Sequence, residues 1–490
     1  MNAAPGRPER FALAPGLEIS RIVTGLWQVA DMERSGTLLD PARGAQAMSE
    51  YAAAGFDTFD MADHYGSAEV ITGHLLQTAA GKGVRAFTKW CPAPGPMTAA
   101  VVREGVLRSL ERMQSSCIDL LQFHWWAFEH PGYIDAMLEL ARLREEGLIR
   151  HLGLANFDTA HLRVLLAEGI PIASNQVCIS LLDRRATEAM SVLCQERGVR
   201  LLAYGVLGGG FLAERWVEVP EPDSVPDWSK MKYRRFIDAI GGWPALQAVL
   251  RAAREIGRKH GVSVSNVATR WVLEQPAVAA TIVGARLGES EHRADNLQPF
   301  TFALDDEDRV LLDAAFAQTK RLPGDCGDEY RKPPYLTASG DLSHHLDSIA
   351  PIWNRVPVLG REERWTVDSG SVWEPLAGYS RAVRVRERIL VSGTTATHGS
   401  GRLIGEGDVA AQATFILDKI AASIKALGGR LDDVVRTRIY LVDANDWRAV
   451  SEVHGAYFGN IRPANTLLQV GALIGDGYRV EIEAEAIVET

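Results

Sequence analysis

The sequence contains little cysteine, and the few cysteines are scattered along it. Their odd number leaves at least one thiol unpaired, and their spacing matches no metal site, so we predict reduced thiols and no bound metal. The five cysteines among the 490 residues are Cys91, Cys117, Cys178, Cys194 and Cys326. The chain also lacks any run of about 18 apolar residues, and residues 1–10 lack the apolar core of a signal peptide. We therefore expect a cytoplasmic protein without a membrane partner.

The chain also has fewer basic than acidic residues. The chain carries 52 Lys and Arg against 62 Asp and Glu, which gives a net charge of -10 and a pI near 5.7. This balance argues against nucleic acid as a partner. Any bound phosphate must therefore be held by a local arrangement of donors.

No G-x-G-x-x-G turn follows the first predicted strand, which argues against a doubly wound dinucleotide-binding sheet. Strand-like and helix-like segments instead alternate, and eight such units predict an α/β protein with a (β/α)8 TIM barrel. The predicted strands are 22–27, 56–62, 84–90, 117–125, 150–156, 172–179, 199–206 and 278–284. An insert at 212–242, rich in Trp, Pro and charge, is predicted to form a loop over the mouth of the barrel.

The chain is too long for one ordinary hydrophobic core, so we expect two domains. We predict a barrel domain over 1–320, an extended tail that packs on the barrel over 321–360, and a smaller α+β domain over 361–490. In the smaller domain, strands are predicted at 381–385, 389–392, 435–441, 467–470 and 480–488. Two amphipathic helices, 408–427 and 447–458, would cover this sheet.

Four polar residues stand at the ends of three successive predicted strands. Asp60 ends the second strand and Tyr65 follows in its loop, whereas Lys89 and His124 end the third and fourth strands. Each residue alone has a structural explanation, such as a helix cap or a core histidine. Together they predict an active site, because ligands gather at the carboxyl ends of parallel strands. The arrangement resembles the catalytic stretch of the aldo-keto reductases.

This resemblance implies carbonyl reduction at the barrel mouth. Tyr65 would act as the general acid, assisted by Lys89 and Asp60, and His124 would orient the substrate oxygen. We expect the nearby lysine ammonium to lower the tyrosine pKa from its usual value near 10.

The same resemblance implies a nicotinamide cofactor. Arg286 is suited to grip a 2′-phosphate, which favours NADPH, with NADH as the alternative. The residues that the resemblance assigns to the cofactor are Trp27, Asn156, Gln176, Tyr204, Gly205, Leu207, Gly208, Gly284, Arg286, His292, Asp295 and Asn296. Two positions depart from the family pattern, since Ala155 stands where serine is frequent and Val206 where proline is frequent.

The last quarter of the chain resembles the Rid/YjgF family at separated points, among them 392–394, 462–466 and 481–484. The resemblance implies a chorismate-mutase-like fold, a homotrimer with clefts between subunits, and hydrolysis of enamine or imine intermediates. Glu481 matches the glutamate that positions water in the family. Asn465 replaces the arginine that binds the substrate carboxylate, and a neutral amide cannot make that charged grip. An oligomerisation module and an active second site both remain open.

These observations predict an NADPH-dependent oxidoreductase that reduces a small aldehyde or ketone and carries a Rid-like domain. Three alternatives remain open at this point. The barrel could reduce C=N bonds, or the enzyme could be bifunctional, with the Rid-like domain acting on an enamine or imine intermediate. The third alternative is a nicotinamide-binding redox sensor with low turnover.

Overall fold

The first two strands of the chain cover one end of a barrel. The computed structural model describes residues 6–30, 38–225, 227–338, 343, 346 and 349–489. Strands β1 (Arg10–Ala14) and β2 (Leu17–Ser20) form an antiparallel hairpin. Leu13, Leu17 and Ile19 pack in one cluster with Phe87 and Leu120 of the barrel strands. Through this packing, the hairpin closes the barrel at the amino-terminal ends of its strands. The carboxyl ends of the strands stay open to ligands.

Eight parallel strands form the barrel wall, as the alternating pattern predicts. They are β3 (Ile22–Gly25), β4 (Thr58–Asp60), β5 (Arg85–Trp90), β6 (Ile118–His124), β7 (Ile149–Ala155), β8 (Ile172–Cys178), β9 (Arg200–Tyr204) and β10 (Val278–Gly284). The barrel is closed in the order β10-β3-β4-β5-β6-β7-β8-β9, so β10 pairs with β3. The predicted TIM barrel is confirmed.

Helices surround this wall. They are α1 (Pro41–Ala53), α2 (Ala68–Leu76), α3 (Ala99–Arg112), α4 (Gly132–Glu145), α5 (Thr159–Ala167), α6 (Ala189–Arg197), α7 (Trp228–Ala239), α8 (Gly242–His260), α9 (Val264–Leu273), α10 (Asp306–Phe316) and α11 (Asp328–Arg331). Their ends follow local sequence: Asp158 caps α5 by accepting from the His161 amide, and Asp305 and Asp308 form a capping box on α10. Gly261 ends α8 with a positive φ of 71°. In the described part of the chain, no helix combines the length and apolarity needed to cross a bilayer.

The insert at 212–242 contains a helix, so the loop prediction was wrong there. Asp227 caps α7 by accepting from the Lys230 amide, and Tyr233, Phe236 and Ile237 bury one face of the helix. This spacing of three and four residues is helical, but Trp, Pro and charged residues around it mask the pattern. The insert still reaches the barrel mouth, where α7 packs on the Gly208–Gly210 turn.

The second domain is a mixed sheet with helices on one face. Its elements are β11 (Val356–Pro357), β12 (Arg364–Val367), α12 (Trp373–Ala377), β13 (Ala382–Val385), β14 (Arg388–Thr394), α13 (Val409–Ala426), β15 (Val434–Leu441), α14 (Trp447–Phe458), β16 (Ala464–Gln469) and β17 (Val480–Ile487). The strand order is β11-β12-β13-β14-β17-β15-β16, and only β15 and β16 pair in parallel. The predicted α+β fold is confirmed, but β11 and β12 were not predicted, because both are short and Val367 is the one buried residue in them.

The two domains share one continuous apolar core, since α13 packs on α5 of the barrel. Polar contacts line this seam. His161 on α5 hydrogen bonds Asp418 on α13 at 2.9 Å, and Glu168 accepts from the Gly405 amide at 2.8 Å and pairs with Arg402. The barrel and the second domain therefore pack as a single body along this seam.

Candidate active site

The four residues predicted at the strand ends meet at the carboxyl end of the barrel. Asp60 ends β4, Lys89 lies in β5 and His124 ends β6, and these three strands are neighbours. The Lys89 ammonium donates to Asp60 Oδ2 at 2.6 Å and to the Met61 carbonyl at 2.8 Å. It also lies 5.0 Å from the centre of the Tyr65 ring. The structure thus brings a half-buried phenol together with a buried ammonium and a buried carboxylate.

Two glutamines complete the surroundings of the Asp60 carboxylate. Gln122 and Gln176 donate to Asp60 Oδ1 at 2.7 and 2.8 Å, and Gln176 also donates to the Gln122 carbonyl oxygen at 2.8 Å. Sequence reasoning missed Gln122. A signal was present, because it lies two residues before His124 in β6 and alternate strand residues share a face. These bonds hold Asp60 rigidly, and Asp60 in turn fixes the position of Lys89.

The pKa of Tyr65 moves in the direction opposite to our expectation. Burial, followed by the negative charge of Asp60, raises the pKa of Tyr65 well above its usual value near 10. The reason lies in geometry, because the Lys89 ammonium is committed to Asp60 and Met61 and faces the ring of Tyr65. Tyr65 therefore keeps its proton throughout the neutral range, as a proton donor must.

His124 is held as a neutral ring. Burial and the charge of Arg331 lower the pKa of His124 well below its usual range. Its Nδ1 lies 3.0 Å from the Ala155 carbonyl oxygen and must carry the proton, which leaves Nε2 as an acceptor. Nε2 is buried and has no hydrogen-bond partner among the described residues. This nitrogen is therefore free to meet a substrate hydroxyl.

Two adjacent tryptophans behave differently. Trp125 Nε1 donates to the carbonyl oxygens of Ala127 and His130 at 2.7 and 3.1 Å, so its role is structural. Trp126 Nε1 is buried and meets no acceptor in the part of the chain that the structure describes. Its ring lies 4.3 Å from that of His124. An unpaired donor and an unpaired acceptor thus stand side by side, which is suited to a polar ligand.

The roof of the site comes from the insert and the tail, and sequence reasoning missed these residues. Lys232 on α7 donates to the Tyr330 hydroxyl at 2.6 Å and lies 4.8 Å from the centre of the Tyr204 ring. Tyr330 on α11 packs 5.6 Å from His124. Glu329 pairs with Arg185 at 2.8 Å, which anchors α11 to the barrel. No periodic pattern surrounds Tyr330, and only the fold places it beside His124.

The residues predicted to hold the nicotinamide surround the same mouth. Trp27 packs edge-on against Tyr65, with ring centres 5.0 Å apart. The Tyr204 hydroxyl lies 2.8 Å from Asn156 Oδ1, and Asn156 has a positive φ of 58°. Both amide hydrogens of Gln176 are engaged by Asp60 and Gln122, so only its carbonyl oxygen can meet a ligand.

The residues predicted to hold the phosphates and adenosine lie in the loops after β9 and β10. Gly205 and Gly208 have positive φ angles of 72° and 54°, which lets the loop turn tightly beside Leu207. Gly284 ends β10, and the exposed Arg286 follows it. No hydrogen bond or ion pair of the Arg286 guanidinium occurs within the described residues. Such a loop pair fits a phosphate ligand.

The residues predicted to bind the adenosine differ in whether they already have partners within the protein. Asp295 accepts from Asn266 at 2.9 Å, so it already supports the loop. His292 is exposed, and its carbonyl oxygen accepts from the Asn296 amide at 2.8 Å. The neighbouring Arg293 pairs with Glu291 and Glu50. Arg286 is therefore the better placed arginine for a phosphate.

The structure also gathers possible metal ligands that the sequence spacing did not reveal. One ligand atom from each of Asp63, His64 and Cys91 lies within 4.8 Å of the others. Asp63 Oδ1 lies 2.9 Å from His64 Nδ1, and Asp63 Oδ2 accepts from the Cys91 amide at 3.2 Å. Burial and the charge of Asp63 raise the pKa of the Cys91 thiol well above its usual value, which disfavours a thiolate ligand. The absence of a bound metal stays a prediction.

In the second domain, Asn465 and Glu481 do not meet within a single subunit. They lie on β16 and β17, which flank β15, and they are paired with Thr437 and Tyr440 of that strand. Asn465 donates to the Thr437 hydroxyl at 2.9 Å. The Glu481 carboxylate instead lies directly against Gly393, where a Cβ atom would be 1.9 Å from Glu481 Oε1. Gly393 is therefore required for this carboxylate to occupy its place.

Comparisons with known proteins agree with both resemblances. Residues 21–316 match the model of the aldo/keto reductase family, and residues 371–488 match the model described as endoribonuclease L-PSP. The predicted combination of an aldo-keto reductase barrel with a Rid/YjgF-like domain is thereby confirmed.

Individual relatives match one domain of the chain or the other. Pyridoxal reductase, chloroplastic, of Arabidopsis thaliana is 26% identical over 286 residues, which cover 54% of this chain and 74% of that protein. A RutC family protein of Pyrococcus abyssi is 35% identical over 114 residues, covering 23% of this chain and 87% of the relative. The structure of a glycerol dehydrogenase from Gluconobacter oxydans has a TM-score of 0.52 at 23% identity, covering 65% of this chain and 98% of the other, and shows a shared fold.

Proposed function

Because the chain belongs to the aldo/keto reductase family, we propose that its barrel reduces an aldehyde or ketone with NADPH and with Tyr65 as the proton donor. One observation carries this proposal. The Tyr65 phenol, the Lys89–Asp60 pair and the unpaired Nε2 of His124 converge at the carboxyl end of the barrel. A protonated phenol beside two unpaired polar atoms is suited to bind and protonate a carbonyl oxygen.

Each residue contributes a definite part of the reaction. Bound NADPH supplies the hydride for the carbonyl carbon. Trp126 Nε1 donates a hydrogen bond to the substrate oxygen, and Tyr65 transfers its proton to that oxygen as charge develops there. The Lys89 ammonium then lies close to the phenolate that remains, and Asp60 keeps the ammonium in place. His124 Nε2 accepts the hydrogen of the product hydroxyl.

The loops after β9 and β10 support NADPH as the cofactor. The exposed guanidinium of Arg286 is suited to a 2′-phosphate, and the glycine turn at 205–208 gives the backbone close access to a pyrophosphate. The chain's net charge of -10 supplies no general attraction for phosphate, so a local arginine is needed. Trp27, Asn156, Gln176 and Tyr204 would bind the nicotinamide end.

The deciding experiment replaces Tyr65 by Phe, which keeps the ring and removes the proton donor. We expect the Tyr65→Phe change to lower kcat for NADPH-dependent reduction of a panel of aldehydes and ketones about 10²- to 10⁴-fold. Substrate and cofactor binding should change little. The matched control is Tyr440→Phe in the second domain, where the hydroxyl bonds Glu483 at 3.2 Å, and this variant should retain full turnover.

Equal turnover of the Tyr65→Phe variant and the unchanged protein would refute Tyr65 as the acid. If both bind NADPH tightly but neither turns over any carbonyl compound, the barrel is a nicotinamide sensor. Turnover of imines in place of carbonyls would assign the site to C=N bonds. The cofactor panel includes NADH, so the same measurement also decides between the two nicotinamides.

We further propose that the second domain assembles the chain into a homotrimer. Strand β16 is an edge of the sheet, and its apolar side chain Leu468 is exposed. An edge strand of this kind can pair with another chain, which favours association. Light scattering on the purified protein should give the mass of three chains, and the mass of one chain would refute the proposal.

The remaining partners follow from charge and chemistry. We propose a small carbonyl or imine substrate and no nucleic-acid partner, because the net charge is -10. The five cysteines are all unpaired, which supports a reducing compartment such as the cytoplasm. Hydrolysis of an imine by the second domain is the less supported role, since Asn465 replaces the expected arginine.

A further inference from the structure

A cavity of about 190 Å³ lies in the seam between the two domains. Its barrel side is formed by Phe128 and Glu129 in the segment between β6 and α4, and the opposite side by Phe415 and Lys419 of α13. Trp353 of the tail adds a further aromatic wall. A cavity of roughly 150 Å³ holds benzene, so this one accommodates a small aromatic molecule with one polar group.

Most polar side chains that line the cavity are already engaged. Asp418 accepts from His161 and Tyr457 at 2.9 and 2.6 Å. Ser369 donates to Glu374 at 2.6 Å, and Glu129 lies 3.9 Å from the Lys425 ammonium. None of these groups needs a ligand to satisfy it.

Lys419 differs from these groups because its nitrogen keeps bonding capacity. The side chain is 93% buried, and its nitrogen donates one hydrogen bond, to the Thr397 carbonyl oxygen at 3.0 Å. No carboxylate pairs with it among the described residues, since the nearby Glu374 is bound to Arg381 at 3.2 Å. One hydrogen and the lone pair of a neutral amine therefore remain available to the cavity.

We propose that this cavity is a second carbonyl site, in which the Lys419 amine forms a reversible imine with a small aromatic aldehyde. The apolar walls take the ring, and the amine takes the carbonyl carbon. A carboxylate ligand fits less well, because Glu129 and Asp418 already place two carboxyl groups in the lining. None of the lining residues is among those assigned to catalysis or to the cofactor, so the site has no part in hydride transfer.

The state of the amine supports this chemistry. Burial, followed by the positive charge of Arg381, lowers the pKa of Lys419 to about 7. About half of the amine is then neutral and nucleophilic at pH 7, whereas a lysine with the ordinary pKa of about 10.4 is almost wholly protonated.

The step balances without any further reactant. The nitrogen lone pair attacks the carbonyl carbon, a proton passes from nitrogen to oxygen, and a carbinolamine forms. The hydroxyl then leaves as water with the second proton of the nitrogen, the nitrogen lone pair forms the C=N bond, and addition of water reverses the sequence. Neither oxidant nor reductant is consumed.

The test uses the full-length protein, benzaldehyde and cyanoborohydride at pH 7, with no nicotinamide added. Cyanoborohydride converts an imine into a stable benzyl amine, which peptide mass spectrometry locates. We expect Lys419 to be labelled roughly tenfold faster than any other lysine, with a rate that rises to half its maximum near pH 7. Anthracene-9-carbaldehyde, which is too large for the cavity, should not label it.

Two variants serve as controls. Lys419→Met should lose the preferred label, whereas Lys425→Met, on the same helix, should keep it. Tyr65→Phe should also keep it, so that failure here and failure of the proposed reductase remain distinct. Labelling spread evenly over surface lysines, no label at Lys419, or a label that the larger aldehyde reproduces would each overturn the proposal.

Discussion

His161 offers the sharpest test of how the two domains are held together. Its ring lies between two carboxylates, with Nδ1 2.6 Å from Asp158 of the barrel and Nε2 2.9 Å from Asp418 of the second domain. All three side chains are buried. Because both ring nitrogens face carboxylate oxygens, both must carry protons, and the ring is an imidazolium ion. Replacing His161 by Gln removes this charge and leaves two buried carboxylates without it.

The pKa of His161 sets the size of the effect. Burial alone would lower it, but the charges of Asp158 and then Asp418 outweigh burial and raise it to about 9 from the ordinary 6.5. Each pKa unit corresponds to about 1.4 kcal/mol, so the charged ring stabilises the fold by about 3 kcal/mol. Because the folded-state pKa is raised, this stability is fully present below pH 6.5 and is lost as the pH rises to about 9.

Urea unfolding, followed by circular dichroism at several pH values, measures this effect. The free energy of unfolding of the unchanged protein should exceed that of His161→Gln by about 3 kcal/mol at pH 6, and the difference should approach zero above pH 9. The matched control is His74→Gln, which changes an exposed histidine on α2 and should show no such dependence. A difference that is the same at pH 6 and pH 10 would mean that His161 contributes by packing alone, and the charge argument would be refuted.

Two further predictions concern the barrel. Arg286→Ala should raise KM for NADPH about 10- to 100-fold and leave KM for NADH nearly unchanged, because only the former carries the phosphate that this guanidinium would bind; equal effects on both cofactors in steady-state assays would contradict the assignment. Trp126→Phe removes an unpaired buried donor and should lower kcat/KM for carbonyl reduction about 10-fold, with thermal stability retained. Trp125→Phe, which breaks two structural hydrogen bonds, should show the reverse pattern, with lower stability and nearly normal turnover.

Much of the fold follows from local sequence. The barrel strands are short apolar runs bounded by polar turns, and the second domain's long helices have apolar faces at helical spacing, so both could be predicted without coordinates. The strands β11 and β12 could not, because β11 is an exposed edge strand of two residues and β12 buries only Val367, so both carry a weak pattern. Helix α7 was missed for a different reason, since only three of its residues are buried and they give a short apolar pattern.

The part of the candidate active site that lies at the ends of the barrel strands could be predicted from the sequence. Asp60, Lys89 and His124 stand at equivalent places on neighbouring strands, and the barrel topology alone brings them together. Tyr330 and Lys232 reach the same mouth from the tail and the insert, and no periodicity fixes where such segments lie. The pKa of Tyr65 also required coordinates, because its direction depends on which group the Lys89 ammonium faces.

Helix α13 has almost no face left for water. All of its residues except Ala421 and Lys425 are buried, between its own sheet on one side and α5 of the barrel on the other. Cutting the chain between the domains would expose an apolar strip that includes Phe415, and a partner strip on the barrel. Each domain expressed alone would then expose an apolar surface that promotes aggregation. The two halves depend on one another for solubility, which makes this fusion difficult to separate into independent modules.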